Sequence, residues 1–203
     1  MVAYDIVTGI YIRWGPKELV LGSTPPFTMG DDTLVVTFFG SAEMGCFLAL
    51  GWPMPRWLLD LYAEFRWLTS GRKLPLVGEP AGKRRRSRHS LLAALGYFGL
   101  DGIAAIEKEA MRQLAMRGGP YTPVEVQQLL DYCQTDVDSS AKLFERMRPH
   151  LDLPRALLRG RYVQAVARME WIGVPVDKEM LAVLRRNWEP LKADLVSRVD
   201  AVA

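Results

Sequence analysis

The chain has 203 residues, with 26 basic and 23 acidic side chains, a formal charge of +3 and 49% hydrophobic residues. This ordinary globular mixture excludes a disordered tail, a collagen-like fibre and a disulfide scaffold, and the length suits one domain with an appendage or two small domains. Uncharged stretches reach only 12 residues, as from Met44 to Pro55, against the ~20 of a bilayer span, so no membrane partner is expected.

No basic-then-apolar leader opens the sequence, and Cys46 and Cys133 stand far apart, outside any CxxC pair. A cytoplasmic location follows as an expectation.

In chain order, Val2 to Val7 and Ile10 to Trp14 read as two short strands joined by a tight turn at Thr8-Gly9. Pro16 opens a short helical turn to about Leu21, and Ser23 to Asp32 is loop. Thr33 to Phe39, TLVVTFF, is rich in β-branched and aromatic residues, as a buried strand should be. Gly40-Ser41 ends it, with Ser41 placed to cap a helix beginning near Ala42 and stopping at Gly51 and Pro53. Trp57 to Arg66, WLLDLYAEFR, reads as a strand leading into a helix.

The second half is helical. Apolar periodicity marks Ser90 to Phe98, Ile103 to Arg117, Pro123 to Asp131, Asp136 to Met147, Leu157 to Trp171 and Lys178 to Val202. Thr122-Pro123-Val124-Glu125 carries a helix-start signal. Strands first and helices after, around a small sheet, predict an α/β or α+β architecture.

The chemistry is narrowed by what is missing. His89 and His150 have no partner at metal-site spacing and are expected at the surface, and there is no GxSxG, P-loop or GxGxxG. Carboxylates remain. Tyr132 and Asp136 are four residues apart, one helical turn, and share a face; that spacing alone is equally an acidic helix start with a tyrosine beside it. Glu43 follows a buried strand directly and sits on the first turn of an apolar helix. It is either a simple complement to the helix dipole or a metal ligand. Lys83, Arg84, Arg85, Arg86 and Arg88 crowd into a Gly- and Pro-flanked loop. That loop is either a solvated surface segment or a contact for nucleic-acid phosphates.

Taken together, these segments resemble the 3′–5′ exonuclease domain of family A DNA polymerases, in the DEDD nuclease group with the tyrosine variant of the third motif. FFGSAEMGCFLALGW resembles the second motif, with Glu43 where Asp is usual. LDLYAEFR, with Asp60, resembles the strand segment after it, and DYCQTDVDSSAKLF resembles the third motif, supplying Tyr132 and Asp136. RYVQAVARMEWIGVPVD is similar to the junction with the polymerase domain.

The resemblance implies an α/β, RNase H-like exonuclease fold over 1–150, lacking its first strand. It also implies a helical linker and thumb-like start over 151–203. It further implies two Mg²⁺ or Mn²⁺ ions, hydrolysis of the 3′-terminal phosphodiester of single-stranded DNA, and the rest of the polymerase chain as partner. Asp136 would ligate the cation that activates water, Tyr132 would position that water, and Glu43 would hold the second cation.

The family's first motif, D-x-E, has one counterpart here, Asp5, with Val7 where Glu should stand. The two opening strands read better as the family's second and third, so the chain is expected to lack half its carboxylates and to have little activity alone. The alternative is a non-catalytic nucleic-acid-binding or polymerase-tethering module. An RNase D-like RNA substrate is a further reading, against which the polymerase-like tail argues.

Overall fold

The computed structural model describes residues 1–72, 89–101 and 105–201. The chain is mixed α/β and mostly helical, with two small sheets of short strands.

The first sheet is an antiparallel hairpin of β1 (Val2–Asp5) and β2 (Ile10–Arg13), with Tyr4 opposite Tyr11 and their rings stacked at 4.5 Å. It is shorter than the sequence predicts because Asp5 ends it: its Oδ1 accepts from the N–H groups of Val7 and Thr8 and closes the turn. The turn expected after Pro16 is a single one, closed by Glu18 and Leu19 N–H groups on the Gly15 carbonyl.

The second sheet pairs β3 (Leu34–Thr37) in parallel with β4 (Trp57–Asp60), Thr37 lying beside Asp60. The crossover between them is α1 (Gly40–Leu50). Because successive strand residues face opposite ways, this pair separates two apolar clusters. Leu34, Val36 and Leu59 join Leu61, Phe65, Leu95, Leu143 and Met147 on one side. Val35 and Leu58 join Met44, Phe47, Trp52 and Ala167 on the other.

The remaining helices of this unit are α2 (Leu61–Leu68), α3 (Leu91–Tyr97), α4 (Ala105–Arg117), α5 (Pro123–Met147) and α6 (Leu153–Ile172), with a 3-10 turn at Arg148–His150. α5 opens with the predicted capping box: Thr122 and Glu125 each bind the other's backbone N–H. It then runs unbroken for 25 residues, joining two segments expected to be separate, since Tyr132 to Thr135 contains no helix breaker.

α5 reaches both sheets. Tyr11 donates to Asp138 at 2.6 Å and Arg13 binds Gln134 and Asp131 near its first half, while Leu143 and Met147 of its second half are fully buried.

α6 crosses β4 so closely that a Cβ on Gly160 would stand 1.8 Å from the Leu58 carbonyl oxygen, which only glycine permits. One residue earlier, Arg159 makes a two-pronged ion pair with Glu64 of α2, both bonds 2.6 Å, and its guanidinium lies 4.9 Å from the Trp67 ring.

Met1–Trp171 form one compact unit and Ile172–Ala203 a second. The second contains α7 (Lys178–Arg186), capped by Asp177, and α8 (Trp188–Asp200). The sequence reads these as one helix; the break falls at Asn187, whose side-chain amide donates back to the Val183 carbonyl. No helix among the described residues is long and apolar enough to cross a membrane.

Candidate functional site

Parallel pairing of β3 and β4 brings the starts of α1 and α2 side by side. Asp60, 3% exposed, ends β4 and caps α2, its Oδ1 accepting from Tyr62 N–H at 3.0 Å. The same oxygen accepts from Phe39 N–H at 2.9 Å, so one carboxylate ties the β3–α1 turn to the β4–α2 turn. Burial pushes the Asp60 carboxyl above its ordinary range, against the pull of these backbone N–H groups.

This tie also corrects the expected start of α1. The residue before the helix is Phe39, in the left-handed region at φ 77°, with no side-chain cap, and Ser41 lies inside the first turn. Asp60 instead holds the N–H of Phe39, the residue before the helix, a tertiary contact that local propensity does not show.

Glu43 projects from the first turn of α1. Its Oε2 is buried without a hydrogen-bond partner, as is Oγ1 of Thr37 at the end of β3. Burial raises the Glu43 carboxyl to about 8, and the like charges of Asp60 and Asp136 push the same way. At neutral pH Glu43 therefore holds a proton.

Asp136 of α5 is near enough to Glu43 of α1 for its charge to help raise the Glu43 carboxyl. Tyr132 donates its hydroxyl to Asp136; burial first, then the charge of Asp136, raises the phenol well above its ordinary value. A phenol so held is a fixed hydrogen-bond donor, not a base.

The other predicted residues fall elsewhere. Asp5 is exposed, its carboxylate engaged by the hairpin turn, and the Thr8 side chain and turn amides lower its pKa. Lys83, Arg84, Arg85, Arg86 and Arg88 lie outside the described residues. His89 packs against Phe65 and His150 against Phe98. Burial raises both thiols, Cys46 and Cys133, so neither is primed as a thiolate.

A two-cation centre needs several oxygen ligands at fixed positions. Among the described residues no three His, Cys, Asp or Glu side chains converge on a point where a metal ion could sit. Glu43 and Asp136 face one region, but Asp60 is spent on backbone amides and Asp5 on its own turn. The described side chains do not by themselves make up a two-cation cage.

Sequence reasoning singles out Glu43, Tyr132 and Asp136, which the fold places on the first turn of α1 and within α5. It misses Phe39, whose one sequence signal is the glycine that follows it, and the double role of Asp60, which nothing local announces. Comparison of the chain with protein-family models, with curated proteins and with solved structures finds no match.

Proposed function

We propose that the chain is the RNase H-like, 3′–5′ exonuclease portion of a family A DNA polymerase, with an incomplete carboxylate set and correspondingly weak hydrolysis of 3′ ends. The observation that carries this reading is the coupling of Glu43 to Asp136 with Tyr132 hydrogen-bonded beside them. Glu43 lies 89 residues or more before the Tyr132–Asp136 pair in the sequence, and motifs two and three of the exonuclease family would supply them in that order.

In this reading Asp136 orients the Tyr132 hydroxyl, which stays protonated and offers its other face to a water or a phosphate oxygen. Glu43, held protonated at neutral pH by burial, keeps an unpartnered oxygen that a ligand in the site would meet. Mg²⁺ or Mn²⁺ would supply the charge stabilisation that these residues lack. The natural substrate is single-stranded DNA at its 3′ end, the macromolecular partner is the remainder of a polymerase, and the compartment is the cytoplasm.

The test is a time course on 3′-labelled single-stranded DNA with Mn²⁺ at stoichiometric enzyme, beside Asp136→Ala. Slow release of mononucleotides that disappears in the variant is the expected outcome. Hydrolysis indifferent to Asp136→Ala overturns the reading. Salt-sensitive, metal-independent binding without hydrolysis favours the second reading, a non-catalytic nucleic-acid-binding or tethering module, for which the basic run at 83–88 is the motivating sequence feature.

A further inference from the structure

Phe39 is the one residue other than glycine with a positive φ among the described residues, at φ 77° and ψ 54°. For a bulky side chain this is an unfavourable conformation, normally left to glycine or asparagine. The usual recompense for an aromatic residue, burial, is half absent: 49% of Phe39 is exposed.

What holds it there is specific. Its N–H is bound by Asp60, and its ring meets the Tyr62 ring edge-on, 5.1 Å between centroids at 77°. Arg66, exposed one turn along α2, lies 5.7 Å from the Tyr62 ring and donates to its hydroxyl at 3.4 Å. Phe39 stands four residues before Glu43, at the mouth of the same strand pair. Backbone strain that is held in place by neighbours and presents an apolar ring to water is a mark of a ligand-facing position.

We propose that Phe39, Tyr62 and Arg66 form a stacking platform for an unpaired base of a single-stranded nucleic acid. The base lies on the exposed Phe39 ring and Arg66 meets an adjoining phosphate. The choice of nucleic acid as ligand rests on the function proposed above; the platform itself rests on the strain, the exposure and the aromatic-arginine grouping.

Base stacking on an aromatic side chain is tolerant of sequence and needs a free base face, so a duplex, whose faces are covered, binds less well. This platform would hold the terminal nucleotide against the Glu43–Asp136 region and select frayed ends over paired ones.

The experiment is fluorescence anisotropy of the full chain in EDTA, where no hydrolysis occurs. One probe is a 5′-labelled oligothymidylate and the other the same strand with abasic 3′-terminal sites. The parent should bind the abasic probe about 5- to 100-fold more weakly. Phe39→Gly, whose residue suits the left-handed turn, should lose affinity for oligothymidylate by a similar factor and no longer distinguish the probes. Phe39→Trp should retain the distinction.

Equal affinity of the parent for both probes overturns the proposal whatever the variants do, and so does failure to bind either. The Asp136→Ala hydrolysis assay is independent of these arms. Stacking without hydrolysis leaves the platform standing and removes the nuclease, and hydrolysis without stacking does the reverse.

Discussion

Glu43 and Glu64 occupy matching places, each in the first turn of a helix that follows a strand of the parallel pair, yet the fold treats them in opposite ways. Glu64 is fully buried and meets Arg159 through two hydrogen bonds, with Trp67 stacked on the guanidinium. Glu43 is half-buried, has a buried oxygen with no partner, and faces two further carboxylates. A buried charge kept with its counter-ion is structural. A carboxyl kept among like charges with an oxygen unsatisfied takes up a proton instead.

Removing the counter-ion should erase the difference with the largest effect. Arg159→Met leaves Glu64 buried and alone, and a loss of about 3–5 kcal/mol is expected, read as a fall in the denaturation midpoint. Adding Glu64→Met should restore most of it, because two apolar side chains need no partner; an unrecovered double variant would show that packing, not charge, is at stake.

Glu43→Gln should act in the other direction, and only at higher pH. Native Glu43 keeps its proton to about pH 8, whereas the unfolded chain loses it near the ordinary 4.5. The unfolded state therefore binds fewer protons between those values, and this group makes stability fall as pH rises from about 4.5 to 8, with no further change above. Glu43→Gln removes that fall. The variant should match the parent at pH 4 and exceed it at pH 8 by roughly 2 kcal/mol, a figure reduced for solvent screening. Denaturation at both pH values measures it, and a parallel shift at the two would sink the assignment.

A smaller effect sharpens the coupling. Asp136→Asn removes one of the like charges behind the raised Glu43 carboxyl, and that group's titration midpoint, followed by carbon-detected NMR, should move down by less than a unit. No movement would place Asp136 too far away to share a site with Glu43. The smallest change expected is from Tyr11→Phe, which deletes an exposed hydrogen bond to Asp138. Its effect on the melting temperature should be at the edge of measurement, although the Tyr11 hydroxyl, raised to about 12 by that bond, will no longer titrate.

The elements written in short-range chemistry were readable from the sequence: the TLVVTFF strand, the Thr122–Glu125 capping box, and the turn between Tyr132 and Asp136. What could not be read was set at long range. Ser41 has the right chemistry for a cap, but the helix already starts at Gly40, behind a Phe39 whose N–H is held by Asp60, 21 residues away. Glu64 and Arg159 are 95 residues apart, and neither carries a local sign of the other. Asp5 shows the converse: its pattern hints at a first-motif acid, yet the amides two and three residues on claim it before any distant group can.

The 25-residue α5 has a consequence for synthesis. The hairpin at residues 2–13 finds its polar partners, Asp131, Gln134 and Asp138, 118 to 127 residues later. At ribosomal elongation rates that interval is on the order of 10 s. Throughout it the hairpin has emerged without the helix that receives it, and its strands offer open edges to other nascent chains. The order of emergence leaves the hairpin's polar groups without their partners until α5 has been made.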